Sequence, residues 1–295
     1  MKQTILLLLF SWLLSLSYAA EQSSIPKYVL NLPDNQQIQL LPVTMENGAI
    51  FWMSECEVTQ EQYVALIHAR VWESTKNLEE AKTWFNEPYK NMKSFMKRMH
   101  VPSVQMKSLP MHSVSWDEAF AWCEMLNMYV KRKEEADLKE MVAKNYVIRL
   151  PTVKEWRSAC GDDNKNTVSW YSQNSSGTPH PVKAKEANSL GFYDLLGNVS
   201  EWTANAMQPN RLPYWTEPRG FSYHKVASEI KRIHIGGSWK TDIADCKLDL
   251  LDARPAARII VMIPGIEINR ITEKYIQGFK SNEIGFRIVW AAPLQ

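Results

Sequence analysis

The four cysteines and six histidines are the side chains best suited to redox or metal chemistry in this chain. The cysteines are Cys56, Cys123, Cys160 and Cys246. No two of them form a CxxC pair, which argues against a zinc ribbon or a thioredoxin-like site. In an oxidising compartment they allow three full disulfide pairings. The alternative, which we favour for at least two of them, is a buried thiol that packs like a small apolar residue. No two histidines have HxH or HxxxH spacing, so we expect structural or solvent-facing histidines.

Turn and cap signals predict the elements that position these side chains. Asn47-Gly48, between apolar runs at 38–44 and 51–53, predicts a β-hairpin. Three polar residues are expected to cap helices: Thr59, Ser115 and Thr152. Glu155 follows Thr152 by three residues and completes a capping box.

Shorter signals predict the rest of the chain. Strands are expected at 146–150 and near 233–239 and 285–290, with long irregular connections after Gly161. Trp116, Trp156, Trp202 and Trp239 lie within the sequence motifs described below and are expected in the core.

The N-terminus predicts export. Lys2 precedes an apolar run from Ile5 to Leu16, and small residues at Ala19 and Ala20 follow it. This order is typical of a cleavable signal peptide over residues 1–20. The run is shorter than the about 20 apolar residues that cross a bilayer, although an uncleaved anchor is the alternative. We therefore expect a periplasmic or secreted protein that is not an integral membrane protein after signal removal.

Composition limits the partners and the domain count. The formal net charge is only +2, which favours no polyanion, and no nucleic-acid partner is expected. No repeat or low-complexity linker divides residues 21–295, so we expect one domain with an insertion at about 69–108. The twelve tryptophans and eleven tyrosines can form a large aromatic core or a binding surface.

Six segments carry motifs in a fixed order along most of the chain. Among them are RLPTVKEW at 149–156, NSLGFYDLLGNVSEWT at 188–203, GGSW at 236–239 and GFRI at 285–288. The other two segments cover residues 51–59, which contain EVT, and 114–119, which begin VSW. Together they resemble the motif series of the formylglycine-generating enzyme (sulfatase-modifying factor) family. The resemblance implies an irregular α+β domain of the C-type lectin-like class with little regular secondary structure.

The resemblance also implies a copper centre, but this chain has only one of the two cysteines that would form it. Family enzymes hold copper with two cysteines that follow the GGS-aromatic motif. The matching positions here are Thr241 and Cys246. One thiol leaves Cu(I) poorly coordinated, so we expect neither copper binding nor formylglycine generation. Cys246 is interpreted as a small core residue, and as catalytic only if the protein is an oxidase.

The resemblance further implies calcium in the loop that follows Tyr193. The matching ligands are the side chains of Asp194 and Glu201 and the carbonyls of Gly197 and Val199. Such hard oxygens suit calcium, which takes six to eight of them. The alternative is that the two carboxylates accept backbone N–H groups and hold the loop without metal.

Two functions are compatible with these motifs, and a formylglycine-generating enzyme with an unusual metal site is a third, remote alternative. The first is a non-catalytic accessory protein that binds a protein or a glycan through long loops at 161–187, 204–232 and 254–283. Aromatic residues outside the motifs are candidates for its binding surface, although a small satellite core would also bury them: Trp84, Tyr89, Tyr214, Trp215, Phe221 and Tyr223. The second is a divergent oxidoreductase that acts on a peptide-derived substrate, as siderophore-maturation relatives do, with Cys246, Trp239 and Arg287 near its centre. An acid in a deep cleft would favour the second function.

Overall fold

The computed structural model describes residues 25–70, 99, 108–133, 138–139, 143–161, 165–207, 231–246, 251–255 and 279–294. The predicted signal peptide and nearly all of the insertion at 69–108 lie outside these ranges. Within them, no helix is both long and apolar enough to cross a membrane.

The first sheet has five strands in the order β1-β2-β3-β9-β4. Their bounds are Tyr28–Asn31 (β1), Gln37–Thr44 (β2), Ile50–Ser54 (β3), Val147–Arg149 (β4) and Val289–Ala291 (β9). β2 and β3 form the predicted hairpin, in antiparallel register from Leu40 opposite Ser54 to Thr44 opposite Ile50. Gly48 adopts a φ of +77° in the turn, a left-handed conformation that explains why glycine follows Asn47.

The second sheet has four strands in the order β7-β6-β5-β8. Their bounds are Ser200–Met207 (β5), Lys231–Ile235 (β6), Leu251–Pro255 (β7) and Ile284–Gly285 (β8). β5 pairs parallel to β8 and antiparallel to β6. The predicted strand near 233–239 ends at Ile235 because Gly236 and Gly237 adopt φ values of +102° and +76°, outside the β region.

The strand expected at 285–290 is divided between the two sheets. Gly285 belongs to β8, whereas Val289 begins β9. Residues 286–288 cross between the sheets, and Arg287 bonds both sides: its guanidinium donates to the Ser54 carbonyl of β3 at 3.2 Å and to the Glu201 carboxylate of β5. A buried arginine that ties two sheets therefore interrupts an otherwise strand-like sequence.

The described chain also has four named α-helices, Gln60–His68 (α1), Trp116–Lys133 (α2), Val153–Cys160 (α3) and the four-residue Lys165–Val168 (α4), and a short 3-10 helix at Pro33–Asn35 between β1 and β2. The predicted caps are confirmed. Thr59 and Thr152 each form a capping box. Ser115 accepts the Glu118 N–H at 3.2 Å while Glu118 accepts the Ser115 N–H at 2.9 Å. These bonds satisfy donors that the first turn of a helix leaves open.

Two hydrophobic clusters form the core. One joins the first sheet to α1 and α2, and the other joins α3 to residues of both sheets, among them Met53 and Ile233. The four motif tryptophans are all buried, as predicted. All four cysteines are buried thiols that form no disulfide with one another. The prediction that at least two are buried packing residues is thus confirmed.

Candidate functional site

The position that holds the family's cysteine pair contains a threonine hydroxyl and a buried thiol. A Cβ on Gly237 would lie 3.0 Å from the Cys246 Sγ and 3.2 Å from the Thr241 Cγ2, so both side chains pack against the same glycine. Cys246 is fully buried. The Ser238 N–H donates to the Thr241 Oγ1 at 2.9 Å, and the Ser238 hydroxyl lies 3.2 Å from the same oxygen. Thr241 and Cys246 are thus close neighbours, as a metal-binding pair would be.

The donors at this position do not fit copper. Cu(I) prefers soft thiolate ligands, and a hydroxyl at Thr241 is a hard, neutral oxygen. The neighbouring polar groups are hard as well: the Ser238 hydroxyl bonds the Glu283 carboxylate at 3.3 Å, and Lys240 lies 3.5 Å from it. The described residues contain no group of three His, Cys, Asp or Glu side chains placed to hold a metal ion.

Hydrogen bonds from a neighbouring loop fix the backbone at Trp239 and Thr241. The Ser172 N–H donates to the Thr241 carbonyl at 2.9 Å, and the Ser175 hydroxyl donates to the Trp239 carbonyl at 2.7 Å. On the other side, the Trp239 indole N–H donates to the Asn282 carbonyl at 3.2 Å. These bonds fix the backbone around Thr241 from two segments, which suits a structural role.

Glu201, one of the predicted calcium ligands, is part of a fully buried ion pair. Arg287 Nε donates to its Oε2 at 2.6 Å and Nη2 donates to its Oε1 at 2.7 Å. The Trp156 indole N–H donates to the same Oε2 at 2.7 Å. Both members of the pair have no exposed side-chain surface. These three bonds use three of the about four lone-pair positions of the carboxylate, which leaves Glu201 little capacity for a cation.

Asp194 retains one oxygen for a ligand. Its Oδ2 accepts the Lys183 backbone N–H at 2.8 Å, as the metal-free alternative expects, whereas Oδ1 is buried without a hydrogen-bond partner. Burial raises the pKa of Asp194 to about 6, although the Lys183 N–H and the Arg287 charge act in the other direction. The donors fit calcium at Asp194 and less well at Glu201. Calcium bound by Asp194, Glu201 and the carbonyls of Gly197 and Val199 therefore stays a prediction.

Glu57 joins these acids, and the sequence analysis did not select it. It is fully buried, and neither carboxylate oxygen bonds another residue. Burial raises its pKa well above the usual value, and the charges of Asp194 and Glu201 raise it further, while Arg287 lowers it. Three carboxylates thus share a single guanidinium. The one sequence signal was an acid between Cys56 and Val58 in an apolar segment.

Glu57 also borders a cleft of about 230 Å³ beside the start of α1. Its side walls come from the start of β2, the segment between β3 and α1, and the chain around Lys183. Cys56 lines the cleft as well, and burial followed by the Glu57 charge raises the pKa of its thiol. Trp239, Cys246 and Arg287 are not among the lining residues. The cleft is therefore distinct from the centre predicted for an oxidoreductase.

The six aromatic residues predicted as a binding surface lie outside the described residues: Trp84, Tyr89, Tyr214, Trp215, Phe221 and Tyr223. Much of the predicted 204–232 and 254–283 loops lies there too. The 161–187 loop is described for most of its length, and it supplies the bonds that close over Thr241.

Comparisons with known proteins agree with the motif series and the fold. Residues 20–292 match the sulfatase-modifying factor enzyme 1-like domain. Among curated proteins, the chain is similar to "Chaperone protein LppX" of Paenibacillus barcinonensis, with 25% identity over 182 residues. That match covers 45% of this chain and 60% of LppX, so the chain spans less than two thirds of that relative's length.

Two solved structures show similar chains. Treponema denticola variable protein 1 has a TM-score of 0.54 and 19% identity, covering 90% of this chain and 99% of that one. PvdO from Pseudomonas aeruginosa has a TM-score of 0.49 and 13% identity, covering 90% and 91%. The first likeness confirms the predicted fold class, a mixed helix-and-sheet domain with few helices.

Proposed function

The chain belongs to the sulfatase-modifying factor enzyme 1-like family, and from that premise we propose that it is an exported accessory protein that binds a protein partner without copper-dependent oxidation. The observation that carries this proposal is the replacement of the copper-binding pair. Thr241 supplies a hydroxyl bonded to Ser238, and Cys246 supplies one buried thiol. A retained scaffold without the soft donors of its centre supports binding over catalysis.

The name of one relative favours a protein partner over a glycan. LppX is named a chaperone, which denotes action on another protein. A chaperone-like accessory role needs no metal centre, which agrees with the donors at Thr241. The basic and apolar N-terminal segment supports export to the periplasm or beyond.

Partner capture tests this proposal. The mature chain would be fixed to a resin, exposed to the envelope and secreted proteins of its source, and the retained proteins identified. Each retained protein would then be purified and mixed with the chain. We expect one of them to form a complex of fixed stoichiometry with wild type and equally with Cys246→Ser, because the thiol is a core residue. If no purified candidate forms a complex, the binding proposal fails.

The oxidoreductase is a second proposal, and a specific observation favours it: the Cys246 thiol packs with Thr241 against Gly237, at the position that matches the family's cysteine pair. Its test is the metal content of protein purified without chelator. Stoichiometric iron or copper that disappears in Cys246→Ser would support oxidation chemistry. Calcium alone, or no metal, would remove this alternative.

Calcium at the loop of Asp194 and Glu201 is also a proposal, supported by the unpartnered Asp194 oxygen. When bound, calcium would neutralise the carboxylates and stabilise the loop. We expect millimolar calcium to raise Tm in wild type and in Glu283→Gln, an acid outside the loop, but not in Asp194→Asn. A calcium response that is absent from wild type, or that persists in Asp194→Asn, contradicts this site.

A further inference from the structure

The strand β1 forms one edge of the first sheet, because β2 is its only neighbour among the described strands. Val29 of β1 lies opposite Gln39 of β2. The Gln39 carbonyl accepts the Glu55 N–H at 3.0 Å, so Gln39 directs its backbone groups to β3 and not to β1. Val29 therefore directs its own N–H and C=O to the outer edge. Within the described chain these two groups have no hydrogen-bond partner.

The side chains beside this open edge are an apolar group and a cation. Val29 is 41% exposed, and no other large apolar side chain of the described residues is exposed. Lys27 is also exposed, and it forms no ion pair within the described chain. Because side chains alternate along a strand, Lys27 and Val29 project from the same face of the sheet.

The opposite face of β1 fixes the strand to the core. The Tyr28 ring packs edge-on against Trp52 and Trp290, with centroids 5.3 Å and 5.9 Å apart. Leu30 is fully buried. The Trp52 indole N–H donates to the Pro26 carbonyl at 2.8 Å, just before the strand begins. The edge is thus already ordered, which reduces the entropy that a partner would lose on binding to it.

The chemistry of the edge selects an extended polypeptide. An outward N–H and C=O on one residue match the backbone groups of another strand, and the side chains beside them give specificity. Lys27 favours an acid at the facing position. A second copy of β1, with the sequence YVLN, has no acid to place there.

We propose that an extended segment of the protein partner adds to β1 as a further strand, an inference that rests on the proposed binding function. The segment places an apolar residue opposite Val29 and an acidic residue opposite Lys27, two positions away. A lysine at a sheet edge also disfavours indiscriminate strand pairing, so the edge accepts strands of complementary charge.

The test uses the peptide acetyl-Thr-Val-Thr-Glu-Thr-amide as a stand-in for the partner strand. In antiparallel order its valine faces Val29 and its glutamate faces Lys27. It would be titrated into the millimolar range against the isotope-labelled mature protein, with the Val29 amide followed by NMR. We expect saturable shifts, at least about threefold weaker binding when lysine replaces the peptide's glutamate, and no binding when its valine is N-methylated.

Two variants locate the binding. Val29→Pro removes the outward N–H without breaking a bond to β2, and an edge strand tolerates proline; it should bind no peptide. Val29→Thr keeps the N–H and should bind the glutamate peptide as wild type does, to within about threefold. Lys27→Glu should reverse the preference and bind the lysine peptide better. The melting temperature of each variant checks that it is folded.

The inference is overturned if no peptide gives saturable shifts, if folded Val29→Pro still binds, or if Lys27→Glu keeps the preference for glutamate. Slow exchange of the Val29 amide in the free monomer would show that the chain itself covers the edge. A dimer of the free protein that Val29→Pro abolishes would assign the edge to a second copy. Either result also overturns the inference.

Failure of this inference is separable from failure of the proposed function. A purified partner that binds Val29→Pro as well as wild type would leave the function standing and remove the strand-addition site. Charge-selective peptide binding at Val29 without any partner complex would keep the site and remove the proposed function.

Discussion

Replacing Arg287 by methionine is expected to be among the most destabilising single changes in this protein. Its guanidinium makes four hydrogen bonds: two to Glu201, one to the Ser54 carbonyl and one to the Tyr193 carbonyl at 2.9 Å. Methionine keeps an apolar stem but none of these donors. Glu201 would then stay buried with only the Trp156 indole as a donor.

The magnitude follows from the burial of both partners. Neither Arg287 nor Glu201 has exposed side-chain surface, and removing one member of a buried pair typically costs about 3–5 kcal/mol. Glu57 and Asp194 also lose their shared counter-charge, which places Arg287→Met toward the upper end. For a chain of this size the loss corresponds to a melting temperature lower by about 6–20 °C.

Thermal and urea unfolding at neutral pH would measure the loss. The matched control is Lys240→Met, because Lys240 and Glu283 form an exposed pair at 3.5 Å with 65% and 34% side-chain exposure. Such a pair contributes less than about 1 kcal/mol. Glu201→Gln added to Arg287→Met should restore part of the stability, since it removes the stranded charge. A loss of stability in Arg287→Met no larger than that in Lys240→Met would show that the buried pair does not stabilise the fold as expected.

Two further predictions concern the backbone and pH. A Cβ on Gly197 would lie 2.1 Å from the Trp170 carbonyl oxygen, whereas one on Gly48 meets nothing within 4 Å at a similar φ. Gly197→Ala should therefore unfold at a much lower urea concentration than Gly48→Ala, because the second variant carries only the roughly 1–2 kcal/mol cost of left-handed backbone. Equal urea midpoints for the two variants would contradict this. Burial alone would raise the pKa of Glu155, but hydrogen bonds from Arg149 hold it below 4.5. The stability that the ionised Glu155 contributes is then complete above pH 4.5 and is lost as the pH falls through its folded pKa. The difference in Tm between wild type and Glu155→Gln should therefore narrow below pH 4.5. A difference that does not depend on pH would contradict the assignment.

The elements that the sequence predicted well are those whose chemistry is local. The Asn47-Gly48 turn and the caps at Thr59 and Thr152 each complete their bonds within three or four residues. The motif tryptophans were predicted in the core because each sits inside one of the six motifs, and all are buried.

The buried acid cluster could not be predicted in this way. Arg287 and Glu201 are 86 positions apart, and Ser54 is 233 positions from Arg287. Glu57 is also remote from them in sequence, 144 positions from Glu201 and 230 positions from Arg287. The division of the 285–290 segment has the same origin, because its apolar alternation gives no sign that Arg287 bonds a strand in each sheet.

Cu(I) titration distinguishes a binding protein without a copper centre from a copper-dependent oxidase. Wild type, Cys246→Ser and Thr241→Cys would be titrated under reducing conditions against a chromophoric Cu(I) chelator. We expect wild type to compete no better than Cys246→Ser, and Thr241→Cys to gain one tight site because its thiol would join Cys246 beside Gly237. One tight equivalent of Cu(I) in wild type that is lost in Cys246→Ser would contradict the account and indicate an oxidase.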